Sequence, residues 1–231
     1  SHNDLAAGVD LYHTDHSRAG ISVMHTNSSL DRTENLGEVS MKKKFTRVSL
    51  YGRHDFAGGL HAAGDVFAGG IRIKDTSLVD MSTRTAGVHA EVGVDVPAGR
   101  GTITPLVRAA YAGIRGFTTK DGKGFPFTMK ESHYSSFSAG LKASLPLSPV
   151  SLLTAYAGWG IRTGYDIDGT MSDAWNTMDI SESGKEHVKT LGIGYRCDVT
   201  PFARLSLSAA REFSSGLHDD WNFQVSAAYK F

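Results

Sequence analysis

The last eleven residues alternate without a break. Trp221, Phe223, Val225, Ala227, Tyr229 and Phe231 are apolar or aromatic, and Asn222, Gln224, Ser226, Ala228 and Lys230 between them are small or polar. A period of two is the mark of a β-strand with one apolar and one polar face. In a soluble domain such a strand at a chain end invites edge pairing, and terminal residues there usually fray. It suits a sheet that closes on itself within a membrane.

The same period recurs along the whole chain, and helical periodicity is nowhere convincing. Leu5, Ala7, Val9 and Leu11 oppose Ala6, Gly8, Asp10 and Tyr12. Ala86, Val88, Ala90, Val92, Val94 and Val96 oppose Gly87, His89, Glu91, Gly93 and Asp95. Phe137, Ala139, Leu141, Ala143 and Leu145 oppose Ser138, Gly140, Lys142 and Ser144, and Leu191, Ile193, Tyr195, Cys197 and Val199 oppose Gly192, Gly194, Arg196 and Asp198. The pattern predicts strands over 4–14, 18–27, 39–56, 60–74, 83–97, 101–118, 132–146, 150–165, 185–199, 202–214 and 220–231.

Composition supports thin, two-faced strands over a thick core: 26 glycines, 10% aromatics and only 40% apolar residues in 231. No apolar run reaches the ~18 residues of a transmembrane helix, a criterion that does not bear on barrels, whose strands carry a weaker hydropathy signal. Zero formal net charge and a pI near 7.1 give no bias toward nucleic acid. The single cysteine, Cys197, has no intramolecular disulfide partner. With no activating neighbour it reads as a small hydrophobe on the apolar face.

Connection lengths carry a second signal. Short turns at Asp15-His16, 57–59, 97–101, 146–149 and 200–201 alternate with polar loops over 28–38, 75–82, 119–131, 166–184 and 215–219. Short turns on one rim and long loops on the other characterise an outer-membrane barrel. A soluble sandwich lacks that parity, and a lipocalin-like barrel, its best soluble rival, points its apolar face inward. The polar faces then become the lumen, with Asp10, Glu91, Arg108, Lys142, Arg196 and Glu212 facing inward. Eleven strands is an odd count, whereas single-chain bacterial barrels use even numbers. At least one N-terminal strand is therefore expected before residue 1.

Several strings resemble the C-terminal translocator domain of autotransporters (type V secretion). They are Leu5-Ala-Ala-Gly-Val-Asp-Leu-Tyr12, Arg18-Ala-Gly-Ile-Ser-Val-Met24, Ser49-Leu-Tyr-Gly52, Leu152-Leu-Thr-Ala-Tyr-Ala-Gly-Trp-Gly160 and Val225-Ser-Ala-Ala-Tyr-Lys-Phe231. The resemblance spans essentially the whole chain. It implies an all-β, antiparallel up-and-down barrel of twelve strands, about eleven of them within residues 1–231, whose first strand, pore helix and passenger would precede residue 1. It also implies a non-enzymatic, monomeric barrel in the bacterial outer membrane, with long loops extracellular, the C-terminus periplasmic and no cofactor. Its partners would be membrane lipid and lipopolysaccharide, the barrel-assembly machinery and its own passenger. Trp221, Phe223, Val225, Ala227, Tyr229 and Phe231 resemble the signal read by that machinery through strand addition.

Other candidate sites carry less. Ten histidines show no H-x-x-x-H or H-E-x-x-H spacing, and zinc needs three or four convergent ligands; His61 and His89 fall on polar faces and the rest near rims or loops. His218-Asp219-Asp220 on the last outer loop could activate water, although an ordinary solvated turn has the same composition. Asp166-Ile-Asp168-Gly169 lacks most of a calcium loop. No G-x-S-x-G nucleophile motif occurs. Gly158-x-Gly160 and Gly192-x-Gly194 read as inward glycines that leave room or let strands bend. Lys42, Lys43 and Lys44 follow a long loop, where they could meet lipopolysaccharide phosphates or simply solvate the rim. Two alternatives to a translocator stay open: a small porin or structural barrel without a passenger, and a rim hydrolase using His218 with Asp219 or Asp220.

Overall fold

A computed structural model of the chain describes residues 2–34, 37–75, 80–120, 126–164, 167–172, 177–182, 184–200, 203–215 and 220–229. The strands in chain order are β1 (His2–His13), β2 (Ser17–Glu34), β3 (Gly37–Asp55), β4 (Leu60–Asp75), β5 (Asp80–Val94), β6 (Val96–Ala98), β7 (Gly101–Ile114) and β8 (Phe117–Lys120). They continue as β9 (Pro126–Met129), β10 (Ser132–Ser148), β11 (Ser151–Thr163), β12 (Ile167–Ser172), β13 (Thr177–Glu182), β14 (Lys185–Asp198), β15 (Ala203–Ser214) and β16 (Asp220–Tyr229). The main sheet follows the order β1-β2-β3-β4-β5-β7-β10-β11-β14-β15-β16, with the short β6 added against β7. Every one of its ladders is antiparallel. This is the all-β meander that the alternation predicts, with each of the eleven predicted strands in place.

The faces sort by alternation. Val48 and Leu50 on β3, Val88, Val92 and Val94 on β5, and Ile193 on β14 are exposed. The extremes lie on the outermost strands, with Leu5 74%, Phe223 71% and Val225 72% exposed. The only large apolar side chains buried among the described residues are Leu106 and Val188. The opposite face buries Ser49, His61, Thr83, Thr85 and Thr104. A water-soluble protein does not expose an apolar surface of this extent. Hydrocarbon does not penalise it, and the ladders leave few backbone groups unpaired there.

The sheet curls until Cα atoms of β1 and β16 come within 8 Å of each other. No ladder joins them among the described residues. Both strands run from the long-loop rim to the short-turn rim, so these edges are parallel and cannot form the antiparallel ladder used elsewhere.

Three of the predicted loops contain strand. Over 28–34 and 37–38 the chain continues the β2–β3 hairpin, with register from Ser17↔His54 to Glu34↔Gly37. Segments of 119–131 and 166–184 join as a second sheet, β13-β12-β9-β8, also antiparallel. The predicted strand 101–118 correspondingly divides: β7 ends at Ile114, and β8 leaves the wall to pair with β9. Thr119 ties the two sheets by donating from Oγ1 to the Asp80 carbonyl at 3.3 Å. Beyond the membrane both faces of a strand meet water, so apolar/polar alternation disappears while the backbone ladder persists.

On the short-turn rim, Ala57–Gly59 is a 3-10 turn with Gly58 at φ +77° and Gly59 at φ +82°. Such left-handed backbone favours glycine. At Gly99 (φ +61°) the chain doubles back so that Val96–Ala98 pairs with Gly101–Ile103.

Candidate functional site: the polar inner face

The inner face is a set of ionic and aromatic contacts spanning several strands. At its centre Arg108 on β7 donates from Nε to Glu91 Oε2 on β5 at 2.6 Å, and its guanidinium lies 4.6 Å from the Tyr156 ring centroid on β11. The carboxylate thus anchors the cation edge-on while the aromatic face receives it. Lys142 on β10 is within electrostatic reach of the same carboxylate. His61 on β4 is fully buried between two carboxylates, with Nε2 3.7 Å from Glu91 Oε1 and Nδ1 3.9 Å from Asp95 Oδ2. Thr104 donates to the other oxygen of Asp95.

Further pairs ring the same face. Tyr51 donates to Asp10 Oδ1 at 2.5 Å. Arg162 on β11 donates from Nη2 to Glu212 Oε2 at 2.6 Å, across the intervening β14. Arg53 pairs with Asp55 at 2.7 Å and His89 with Asp65 at 3.4 Å. Toward the short-turn rim a cavity of about 700 Å³ collects Arg18, Arg53, Arg100, Lys142 and Arg196 against Asp15, Asp55 and Asp95. Its balance is cationic.

Four inner side chains rest on glycines. A Cβ on Gly20 would lie 2.7 Å from Tyr51 Cζ, on Gly87 2.6 Å from Phe67 Cζ, on Gly93 2.7 Å from His61 Cε1, and on Gly140 2.7 Å from Tyr156 Cε2. Tyr156 also lies over Gly158. These glycines are recesses in the wall, and the rings fill them.

The six sequence-predicted inner residues fall into three groups. Glu91 and Arg108 bond directly to each other, Asp10 and Glu212 bond to Tyr51 and Arg162, and Lys142 and Arg196 share the cavity. Sequence reasoning missed Tyr51, Tyr156, Arg162 and Asp95. Their parity on each strand was readable, but the partner of each lies on another strand.

The outward face has its own aromatic sites. Trp221 and Phe223 stack with centroids 5.8 Å apart and planes within 5°. Arg211 lies over Phe213 at 4.5 Å and over Trp221 at 5.3 Å. Trp159 stacks on His187 at 5.8 Å. Val225 is exposed beside them, and Ala227 and Tyr229 continue β16 opposite Leu205 and Ala203. Phe231, His218, Asp219 and Asp166 lie outside the described residues, and Asp220 opens β16 in register with Glu212. Cys197 is a free, partly exposed thiol in register with Leu205.

At the two rims, charge pairs hold carboxylates in their ionised form. Hydrogen bonding from Arg72, supported by Lys74, lowers Asp80 from 3.8 to about 2. A hydrogen bond from Arg204 likewise lowers Asp198.

A curled antiparallel meander with an apolar exterior and a charged interior defines a transmembrane β-barrel protein. The family model "Autotransporter beta-domain" matches residues 1–209, and the chain belongs to that family. Its fold is similar to the β-domain of the Bordetella autotransporter BrkA, with TM-score 0.72 and 16% identity over 100% of this chain and 90% of that one. It is equally similar to the transport unit of AIDA-I from Escherichia coli, with TM-score 0.72 and 16% identity over 100% of this chain and 82% of that one. The translocator domain of NalP from Neisseria meningitidis follows, with TM-score 0.67 and 17% identity over 100% and 80%. No curated protein sequence matches the chain. As an autotransporter β-domain, the chain is an outer-membrane translocator barrel that supports export of a linked passenger.

Proposed function

We propose that the barrel acts without catalytic chemistry, as a fixed polar conduit whose charged inner wall keeps water and an exported segment compatible with the membrane. The observation carrying this reading is the division of charge. The inner face holds paired side chains around Glu91, Arg108, Arg162 and Glu212, while the outer face holds exposed aliphatics. The long-loop rim with the second sheet faces the cell exterior and the short-turn rim the periplasm, in line with the usual economy of turns in such barrels. The cationic cavity at the short-turn rim would then be the first wall that a segment entering from the periplasm meets.

The test is surface display by the full-length protein carrying an epitope upstream of residue 1. Antibody access on intact cells and protease cleavage within 166–184 are the expected results. An epitope retained in the periplasm beside a folded, heat-modifiable barrel would overturn the conduit reading. The alternating terminal strand is the signal for assembly. Deleting Phe231 is expected to lower outer-membrane yield while synthesis continues, and an undiminished yield of folded barrel would rule that role out.

A further inference from the structure

The lysine run 42–44 does not act as one unit. Lys42 and Lys44 share the outward face of β3 with Val48 and Leu50, whereas Lys43 falls on the inward face with Phe45 and Arg47. The outward pair has company that the sequence does not reveal. Lys42 is in register with Lys74, Lys44 with Arg72, and Arg84 on β5 with Gly70, all with the same outward parity. All five cations are exposed.

Among the described side chains, one carboxylate offsets them. Asp80, in register with Lys74, accepts from Arg72 Nε at 3.1 Å and Nη2 at 2.9 Å, and pairs with Lys74 Nζ at 3.2 Å. Among the described side chains, no carboxylate pairs with Lys42, Lys44 or Arg84. Two like-charged pairs sit directly across a ladder, Lys42 with Lys74 and Lys44 with Arg72, an arrangement that destabilises a sheet unless an anion lies between them.

The height of the patch identifies the anion. The outward row of β4 reads Leu60, Ala62, Gly64, Val66, Ala68 and Gly70, then changes abruptly to Arg72 and Lys74. At ~3.3 Å per residue and a tilt near 40°, Leu60 to Gly70 rises about 25 Å, the height of the apolar band of such barrels. The cations therefore begin where acyl chains end and headgroups start. Directly below them, Ala68 and Gly70 keep the wall low, giving space for a bulky group.

We propose that Lys42, Lys44, Arg72, Lys74 and Arg84 form a binding site for the phosphate groups of an acylated glycolipid in the outer leaflet. Several cations clustered at headgroup level match a multiply charged phosphate ligand. The acyl chains would lie along the aliphatic row beneath. The assignment rests on the long-loop rim facing outward.

Native mass spectrometry of the full chain in detergent tests it, with bis-phosphorylated lipid A and its fully dephosphorylated form as probes. The wild type is expected to retain the phosphorylated form at least about tenfold more strongly. The combined variant Lys42→Gln, Lys44→Gln, Arg72→Gln and Lys74→Gln should lose that preference while keeping heat-modifiable migration, and Lys43→Gln should keep it. If the combined variant does not fold, Lys42→Gln with Lys44→Gln, which breaks no internal pair, should still weaken retention several-fold. Equal retention of both lipids by the wild type overturns the proposal, as does undiminished preference in a folded variant. Displacement of lipid A by millimolar inorganic phosphate would mark a free-anion site and overturn the lipid assignment. Micelle binding does not depend on insertion direction, which surface proteolysis of 166–184 reads separately.

Discussion

The inner and outer faces of this wall arise from one alternating sequence but treat charge in opposite ways. Inside, ionic groups have partners: Arg108 with Glu91 on the adjacent β5, Arg162 with Glu212 two strands away and Arg53 with Asp55 on the same strand. Outside, charge is missing from the outward rows of β4 and β5 between Leu60 and Gly70 and between Ala86 and Val94, and reappears at the long-loop rim. The difference shows that the solvent, more than the strand, decides what a position tolerates. A wet lumen accepts charges that are paired, and hydrocarbon accepts none.

The most severe way to break that division is a cation placed mid-band. Ala90→Arg, at the centre of the outward row of β5, should destabilise the barrel by ~2–4 kcal/mol in denaturant unfolding from phospholipid vesicles. A loss no greater than that of Glu91→Arg would mean that the two faces do not differ in solvent.

Filling a recess on the inner face should cost somewhat less. A Cβ at Gly93 would lie 2.7 Å from His61 Cε1 and 3.1 Å from Leu106 Cβ. Gly93→Ala should therefore cost ~1–3 kcal/mol, and His61→Ala in the same chain should recover part of it. Simple additivity of the two substitutions would show that the ring and the recess are independent.

Unpairing the inner charges should cost ~1–3 kcal/mol. Glu91→Gln removes the negative charge that pairs with Arg108, so the loss should appear in unfolding midpoints and fall when Arg108→Gln is added. No coupling between the two would mean that the bond is as weak as an open surface pair.

The smallest effect lies at the rim. The Arg72 hydrogen bond lowers Asp80 from an ordinary 3.8 to about 2, so its contribution should be complete above about pH 4 and fade as pH falls through about 2. Carboxyl NMR should place its midpoint near 2, moving upward in Arg72→Gln. A midpoint near 4 in the wild type would remove the Arg72–Asp80 pair from the rim.

The wall was legible in the sequence because a membrane enforces alternation. Val88, Val92 and Val94 had to share one side and Glu91 the other, and β5 is where those residues predict it. Residues 28–34 were not legible as strand. Ser28, Ser29 and Asp31 look like a loop because water on both faces removes the pattern, yet each has a partner on β3. The inner pairs were half legible: parity put Glu212 inside, but its bond to Arg162, 50 residues earlier, depends on how the sheet curls. The rim site was hidden for the same reason. Lys42–Lys44 looks like one cluster in sequence, and the pleat divides it.

The rings resting on Gly20, Gly87, Gly93 and Gly140 carry a consequence for how the wall is assembled. Tyr51, Phe67 and His61 have their recesses directly opposite and Tyr156 has its recess on the diagonal, and sliding a strand by two residues keeps every side chain on its proper face but sets each ring against a different neighbour. Alternation alone cannot detect that error, because a two-residue slip leaves it intact. Recesses on β2, β5 and β10 can, so the glycines serve as a proofreading code that favours one alignment over its nearest imitations.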